Sequence, residues 1–197
     1  TAFAAYGGTV EGNLKAAQEF AVECSAIKVM ATEIESEIVD EMLQIYGGYG
    51  FTEEYPIARH YRDARVSRIY EGTNEINRIF LADRYLRRQN GDLPQGDEPV
   101  SRAVRRAVEE GGKLEQIRQG ALSDLLMCAY VGQSSRLRAE RLGGAAAELD
   151  ALAQAWLGAR VRGAEARFFG VERGVATATN VRDVADLVHD ARGPLRF

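Results

Sequence analysis

The stretch that decides the fold opens with Gln44-Ile-Tyr-Gly-Gly-Tyr-Gly-Phe-Thr-Glu-Glu-Tyr-Pro56 and closes with Ile69-Tyr-Glu-Gly-Thr-Asn-Glu-Ile-Asn-Arg78. Gly47 and Gly48 follow an amphipathic segment, and glycine there either ends a helix or lets the backbone approach a ligand closely. The pattern therefore predicts a helix that ends at Gly47. The residues 69–78 form a second distinctive stretch.

Glu71 lies in the stretch 69–78, between an aromatic residue and a glycine and just before Thr73. Thr73 is a plausible N-cap for a helix that begins near Asn74. A carboxylate beside apolar groups at such a junction can act as a general base. It can equally be an acidic residue that stabilises a helix start, and the residues alone leave both interpretations open.

The composition predicts an all-α fold. The chain has 197 residues, 46% hydrophobic content and a net charge of −4, with only 4 prolines. Ala, Leu, Glu and Arg are abundant, which favours helices. Residues 1–98 carry 10 basic and 17 acidic residues, whereas residues 99–197 carry 15 and 12. We therefore predict a helical bundle over residues 1–89, a Gly-, Pro- and acid-rich linker over residues 90–99, and a second helical extension over residues 100–197.

Apolar periodicity locates the helices of the first part. One helix is predicted from residue 12 to about residue 31, and a second from Ile34 to Ile45. Short helices are predicted from Tyr55-Pro56 to about Ala64 and from about Asn74 to Arg88. The inward positions of the last helix are Ile76, Ile79, Phe80 and Leu86.

Apolar stripes continue in the extension, after a short basic helix over Val100–Val108. The stripes are Leu114, Ile117, Ala121, Leu125 and Cys128; then Leu142, Ala145, Leu149, Leu152 and Trp156; then Val181, Val184, Ala185 and Val188. If these stripes face one another, Trp156 is a buried indole. An interfacial anchor on a membrane is the other interpretation of the same stripes.

Several classes of function are disfavoured. The basic residues do not gather with aromatics, so nucleic acid is not expected as a partner. His60 and His189 stand apart from other ligand-type residues, so no metal site is predicted. No apolar run reaches about 20 residues, and the first residues do not predict a signal peptide. Cys24 and Cys128 lie in helical apolar patterns, which indicates buried thiols without a disulfide. A start at Thr1 without Met suggests a piece of a longer protein.

The ordered blocks resemble the C-terminal helical domain of the acyl-CoA dehydrogenase family, over roughly residues 12–88. The matching blocks are Gln44–Phe51, Tyr55-Pro56, Arg62-Asp63-Ala64 and Tyr70–Thr73. The resemblance implies a flavoenzyme that desaturates acyl-CoA thioesters between the α and β carbons, with FAD as cofactor and fatty-acid β-oxidation as context.

The resemblance also implies roles for individual residues. Glu71 is the expected catalytic base, and Gly72 the expected close approach to the substrate. Thr73, Asn74 and Glu75 match positions that contact the pyrophosphate and adenosine parts of FAD, although Glu75 replaces a neutral residue that is common there. The segment of Gln44, Ile45, Tyr46, Gly47 and Gly48 matches one that touches the adenosine of a FAD held mainly by a neighbouring subunit, which implies a homodimer or tetramer.

The expected partners are an acyl-CoA substrate and electron-transfer flavoprotein, in the cytoplasm or, in a eukaryote, in mitochondria. The present residues would be inactive alone, because the family's N-terminal helical and β domains supply most of the flavin and acyl pocket. An acyl-CoA oxidase and a non-catalytic helical binding or assembly module are the alternatives. By its placement, the extension resembles that of very-long-chain and larger bacterial members, which implies peripheral membrane contact. The interpretation we favour is a helical domain that packs on the catalytic part or stabilises the dimer.

Overall fold

The computed structural model describes residues 8–88, 99–110 and 114–170, and within them every regular element is an α-helix. The helices in chain order are α1 (Val10–Glu19), α2 (Ala21–Tyr46), α3 (Gly48–Phe51), α4 (Ile57–Ser67), α5 (Asn74–Arg88), α6 (Pro99–Glu109), α7 (Gln116–Leu142) and α8 (Ala145–Gly170). The predicted all-α fold is therefore confirmed.

The chain divides into two compact units, Thr1–Leu81 and Ala82–Phe197, with the boundary inside α5. Of the predicted linker over residues 90–99, only Pro99 belongs to the described residues, where it begins α6. The division at residues 90–99 therefore stays a prediction. The stripe from Val181 to Val188 and His189 also lie outside the described residues.

Helix α2 differs from the prediction. We expected a break near residue 31, but the helix runs without interruption from Ala21 to Tyr46, and the break falls earlier, at Phe20. Thr32 explains the continuity, because its hydroxyl donates to the carbonyl of Lys28 at 2.9 Å within the helix instead of capping a new one. Gly47 ends the helix with φ of 57°, as predicted.

The core of the first unit lies between α2 and α4. Val22, Ala26, Val29 and Met30 of α2 are buried, as are Ile57, Ala58 and Ala64 of α4. A hydrogen bond of 3.0 Å from the Ser67 hydroxyl to the Glu35 carboxylate joins the same two helices. Two arginines of α4 form surface ion pairs, Arg59 with Asp63 and Arg62 with Glu53.

Helix α5 has the predicted bounds, but the side chains that it buries are different. Ile76 and Phe80 were expected to point inward, and both are exposed, whereas Asn74 and Leu81 are buried. The apolar spacing of Ile76 and Phe80 is helical, yet periodicity identifies a face without identifying what covers it.

The second unit is built on an antiparallel pair of long helices, α7 and α8. Three contacts define the pairing: Gly132 with Gln154, Asp124 with Arg167, and Arg118 with Phe168. Gly143 and Gly144, both with positive φ, make the turn between the two helices. The shorter helix α6 packs against both, with Ala103, Val104 and Ala107 buried.

The inward face of α8 is not the one that the sequence predicted. Leu142, Leu149 and Leu152 are exposed, and Trp156 is half-buried with the Arg160 guanidinium 4.2 Å from its ring centroid. The buried residues of α8 are Leu157, Ala164 and Phe168. The predicted buried indole was therefore wrong, because α8 carries two apolar faces and α7 covers the other one.

The predicted stripe on α7 is largely confirmed. Leu114, just before the helix, and Ala121, Leu125 and Cys128 within it are buried, while Ile117 is exposed. Cys24 and Cys128 form no disulfide, and Cys128 is buried, as expected, whereas Cys24 is exposed and was expected to be buried. None of the described helices is both long enough and apolar enough to cross a membrane.

Candidate functional site

The loop between α4 and α5 has an unusual backbone at Glu71. Glu71 has a φ of 54° and is the one described residue other than glycine with positive φ, and Gly72 follows with a φ of 80°. Residues with side chains avoid this region by about 1–2 kcal/mol. Surrounding contacts must therefore hold the turn in place.

Two side chains hold the carbonyl oxygen of Gly72. The Lys28 ammonium donates to it at 2.9 Å from α2, and the Asn77 amide donates to it at 2.8 Å from α5. The same Asn77 amide lies 3.1 Å from the Thr73 carbonyl oxygen. These bonds anchor the turn to two separate helices, α2 and α5. The turn in this position presents Glu71.

Asn74 ties the start of α5 to α2 through a buried network. It is 1% exposed. Its amide oxygen accepts from Lys28 at 2.7 Å, and its amide nitrogen donates to the Thr32 hydroxyl at 3.0 Å and to the Glu33 carboxylate at 3.3 Å. Glu33 in turn forms a bidentate ion pair with Arg78, at 2.7 and 2.9 Å. A buried network whose members are all bonded rigidifies the local backbone.

The first turn of α5 is capped, in agreement with the prediction. The Thr73 hydroxyl accepts from the Ile76 amide at 3.3 Å. A hydrogen bond from the Glu75 backbone amide lowers the pKa of the Glu75 carboxyl, with further contributions from the Thr73 hydroxyl, Arg78 and Arg68. Glu75 is therefore an anion at neutral pH, placed at the positive end of the helix dipole.

Glu71 itself is exposed, so its carboxylate can meet a second molecule. The backbone hydrogen bonds of the loop use the amides of Ile69, Tyr70 and Asn74, and the Glu71 amide takes part in none of them. A carboxylate and a backbone N–H donor are thus available on the same residue. That pair can remove a proton from a carbon acid and hold the oxygen on which negative charge develops.

The segment Gln44–Gly48 forms an exposed end of α2. All its residues are exposed, and Ile45 is 82% exposed. The Gly47 amide donates to the Gln44 carbonyl at 3.0 Å, which closes the helix. Gly50 is buried beside it, where a Cβ would lie 2.6 Å from the Leu43 carbonyl oxygen, so the close turn requires glycine.

Aromatic rings lie next to this end of α2. The ring centroids of Tyr46 and Tyr49 lie 5.9 and 5.3 Å from that of Tyr55, and Tyr49 and Phe51 are exposed. Such rings offer a flat apolar surface to a ligand or to another subunit.

The structure does not bring the two candidate segments together within one chain. Lys28, which binds the loop of Glu71, and Gln44 are separated by 16 residues of the same helix. That separation corresponds to about 24 Å at 1.5 Å per residue. Any site that uses both segments at close range must therefore draw them from two chains.

Sequence reasoning missed the residues that position Glu71. Lys28, Thr32 and Glu33 precede the loop by about forty residues and carry no local signal that points to it. Glu33 lies on a strongly acidic helix, which by composition alone suggests a solvated face, and it is instead engaged by Arg78. For metals, the described ranges contain no cluster of three or more His, Cys, Asp or Glu side chains that could hold an ion.

Comparison with known proteins identifies the first unit. Residues 4–86 match the family described as the C-terminal domain of acyl-CoA dehydrogenases. This segment is similar to the C-terminal domain of acyl-CoA dehydrogenases. The matched residues contain both candidate segments and the network around Asn74.

Individual relatives agree with this assignment. A probable acyl-CoA dehydrogenase of Bacillus subtilis (strain 168) is 51% identical over 81 residues, which cover 41% of this chain and 14% of the relative. The human mitochondrial short-chain specific acyl-CoA dehydrogenase is 46% identical over 68 residues, or 34% of this chain and 16% of that protein. An acryloyl-CoA reductase (NADH) of Anaerotignum propionicum is 40% identical over 73 residues, or 37% and 18%.

A solved structure extends the similarity past residues 4–86. The acyl-CoA dehydrogenase of Bacillus anthracis, complexed with FAD, superposes with a TM-score of 0.62 and 30% identity over 92% of this chain. The match spans 36% of that protein. The helices of the second unit therefore also have counterparts in an acyl-CoA dehydrogenase, while the present chain corresponds to about a third of that protein.

Proposed function

We propose that this chain is part of an FAD-dependent acyl-CoA dehydrogenase that desaturates acyl-CoA thioesters between the α and β carbons. The observation that carries the proposal is the Glu71 turn. It presents an exposed carboxylate and an unused backbone amide on one residue, held by Lys28, Asn74 and Asn77 in a conformation that costs energy. A purely structural loop has no need of that combination.

Glu71 is the proposed base. Its carboxylate takes the proton from the α carbon, and its backbone N–H donates to the thioester oxygen, on which negative charge accumulates. An exposed carboxylate is too weak a base for such a carbon acid, so the bound acyl chain and the rest of the protein must exclude water from it. When bound, FAD accepts the hydride from the β carbon.

The residues at the start of α5 fit FAD in part. The Thr73 hydroxyl lies at a helix N-terminus, where phosphate groups bind well. The Asn74 side chain is buried and engaged inside the protein, and its backbone amide donates to the Arg68 carbonyl at 3.2 Å, so we propose that Asn74 positions the helix start and does not itself contact FAD. Glu75 is anionic, and we therefore assign its carboxylate to a hydroxyl-bearing part of the cofactor, away from the pyrophosphate.

The exposed end of α2 supports an oligomer. The segment Gln44–Gly48 lies about 24 Å along α2 from the contacts to the Glu71 loop, and we propose that it contacts the adenosine part of FAD on a second subunit. The adjacent Tyr46, Tyr49 and Tyr55 rings would extend that contact. A homodimer or a tetramer satisfies this geometry.

The test replaces the proposed base in the full-length protein. Glu71→Gln keeps the size and hydrogen-bonding capacity of the side chain but cannot accept the α proton. With FAD bound, we expect bleaching of the flavin by acyl-CoA to slow by at least about 10²-fold. Glu54→Gln, an exposed acidic residue of the same unit, is the matched control and should change nothing. Bleaching at the wild-type rate in Glu71→Gln would refute the assignment.

Exchange of the α proton separates the alternatives. An enzyme of this type should exchange deuterium from solvent into the α position of a bound acyl-CoA, and Glu71→Gln should abolish the exchange. A non-catalytic helical module shows no exchange in the wild type. The 40% identity to an acryloyl-CoA reductase makes the reverse reaction a second candidate, which reduction of an enoyl-CoA would reveal.

We extend the proposal to the surroundings of the reaction. Electron-transfer flavoprotein is the proposed electron acceptor, and rapid reaction of the reduced flavin with oxygen would indicate an oxidase instead. Fatty-acid β-oxidation in the cytoplasm, or in mitochondria of a eukaryote, is the proposed setting. Peripheral membrane contact through residues 100–197 is not required by any of these steps.

A further inference from the structure

Helix α8 carries a second apolar face that follows a heptad pattern. Its positions recur in alternating steps of four and three residues, and we call them the α8 seam: Ala145, Leu149, Leu152, Trp156, Ala159, Gly163 and Ala166. Leu149 and Leu152 are 66% and 68% exposed. The seam is about 32 Å long at 1.5 Å per residue.

The α8 seam lies apart from the faces of α8 that α6 and α7 use. Leu157, Ala164 and Phe168 are the buried residues of the helix. Glu165 and Phe169 face α6, where they contact Arg102. The seam residues belong to neither set. Ala145, Leu149, Leu152 and Ala166 are exposed, and Trp156, Ala159 and Gly163 are half-buried. Two sides of α8 are thus covered within the unit, and a third, apolar side is covered less.

We propose that the α8 seam pairs with the α8 seam of a second copy of this chain, as an antiparallel coiled coil. A strict alternation of four and three residues is the spacing at which two helices interdigitate side by side over several turns. A membrane surface or an unrelated groove does not need that alternation. The proposal concerns the extension and does not rest on the proposed catalytic function.

The sizes of the seam residues support the antiparallel direction. In the antiparallel register centred on residue 154, Leu152 packs against Trp156 of the second copy, Leu149 against Ala159, and Ala145 against Gly163. Leu149 thus meets the small Ala159, and Leu152 and Trp156 meet at the centre. Parallel pairing would place Gly163 against Gly163 and leave the C-terminal layers nearly empty.

The flanking charges support the same direction and register. Glu148 and Arg162 are exposed residues that border the seam, and in this register each lies beside the other residue of the second copy. The antiparallel pair therefore contains two symmetric Glu148–Arg162 contacts. Parallel pairing would instead place Arg162 beside Arg167 of the second copy, with like charges in contact.

Charge reversal tests the register directly. Sedimentation velocity of the 197-residue chain, over a range of concentrations, gives its self-association constant. We expect Glu148→Arg and Arg162→Glu each to weaken association by about 10-fold, because each replaces two attractive pairs with repulsive ones. The double variant should recover association, and so should an equimolar mixture of the two single variants. Single reversals without effect, or without recovery in the double variant, would overturn the proposal.

A seam variant and a matched surface variant test the face. Leu152→Glu should weaken association by more than about 100-fold, because it places a charge in the centre of the interface. Leu137→Glu is the control, because Leu137 is an exposed leucine outside the seam. It lies on α7, is 59% exposed, and follows by five residues Gly132, which faces α8. Equal effects of the two variants would refute the seam as the interface.

Other occupants of the seam predict different results. If residues 171–197 of the same chain cover it, the wild type is monomeric and a chain that ends at Gly170 associates. If a lipid surface covers it, the chain binds anionic vesicles, and Leu152→Glu abolishes that binding without changing the sedimentation coefficient. Either result would overturn the proposal.

Discussion

At the scale of single residues, the most constrained point is the turn at Glu71 and Gly72. Two successive residues with positive φ lie there, and two side chains, one from α2 and one from α5, hold the Gly72 carbonyl. Lys28 is central, because it donates both to the Gly72 carbonyl and to the buried Asn74. The position of the proposed base thus depends on a lysine that lies 43 residues before it in the sequence.

We predict that Lys28→Met destabilises the protein and misplaces Glu71. Hydrogen bonds that involve a charged group contribute about 1.5–3 kcal/mol each, and this change also leaves the buried Asn74 oxygen without its donor. Thermal unfolding measures the loss of stability, and exchange of the acyl-CoA α proton measures the loss of positioning. Lys15→Met is the matched control, since Lys15 forms only an exposed ion pair with Glu11. Full exchange activity in Lys28→Met would show that the turn holds without it.

Gly72→Ala is predicted to cost about 1–2 kcal/mol of stability, because its φ of 80° disfavours any side chain. Its new Cβ would also lie 3.1 Å from the Asn77 amide nitrogen that holds the turn. Gly48→Ala should cost much less, since nothing lies within 4 Å of that Cβ and its φ is not positive. Urea unfolding of both variants gives the comparison, and equal costs would contradict the strain assigned to the turn.

At the scale of helices, the contact between α7 and α8 depends on close approach at Gly132. A Cβ there would lie 3.2 Å from the Gln154 amide oxygen and 3.3 Å from a Leu157 methyl group. The Gln154 amide also donates to the Gly132 carbonyl at 2.8 Å. Gly120 lies on the same helix with open space around it.

The two glycines of α7 should therefore respond differently to alanine. Gly120→Ala should raise stability by about 1 kcal/mol, because alanine favours a helix interior. Gly132→Ala gains the same helix propensity but crowds Gln154 and Leu157, and we expect no net gain or a loss of about 1 kcal/mol. Chemical denaturation of the two variants decides the matter. An equal gain in both would mean that α7 and α8 separate easily at Gly132.

The end of α6 supplies a pH-dependent contact. A hydrogen bond of 2.6 Å from the Arg118 guanidinium lowers the pKa of the Glu110 carboxyl, and Arg106 lowers it further. A lowered carboxyl pKa adds stability above the ordinary value of about 4.5, and that stability is lost as the pH falls through the folded-state pKa. Glu110→Gln should thus destabilise the chain near neutral pH and converge with the wild type in acid. Glu109→Gln, which removes a longer exposed pair with Arg106, should show less of this pH dependence.

At the scale of the whole molecule, the two candidate segments of one chain lie too far apart to contribute to the same small site. The Glu71 loop and the end of α2 at Gln44 are separated by about 24 Å along one helix. The chain also spans only 36% of the Bacillus anthracis acyl-CoA dehydrogenase that was solved with FAD. Its residues can therefore supply only part of any one flavin site.

We predict that the 197-residue chain alone does not retain FAD. Peripheral contacts cannot repay the loss of translational and rotational freedom of the cofactor. The purified chain, mixed with FAD, should elute from gel filtration without flavin absorbance. Yellow protein after gel filtration would show that the chain contains a complete site.

The sequence predicted the helices of the first unit from local signals. These signals correctly gave the glycine that ends α2, the Thr73 cap and the bounds of α5. Helix propensity, capping and glycine geometry are local properties of the chain. The start of α2 was misplaced, since apolar periodicity indicated a break near residue 31 and the break falls at Phe20. The face that each helix buries was less predictable, because Ile76 and Leu152 were expected to be buried and are exposed.

By itself, the sequence determined that this protein is helical, which residues end its helices, and that Glu71 lies between an aromatic residue and a glycine next to a capped helix. It also carried the ordered blocks by which this chain resembles acyl-CoA dehydrogenases, whose C-terminal domain residues 4–86 match. These features depend on neighbours along the chain. Only the tertiary structure decided that Lys28 holds the Glu71 turn, that Asn74 is buried, and that α8 packs through Phe168 and leaves Leu149 and Leu152 exposed. An apolar or charged side chain can pair with many others, and the packing of distant helices selects which pairs form.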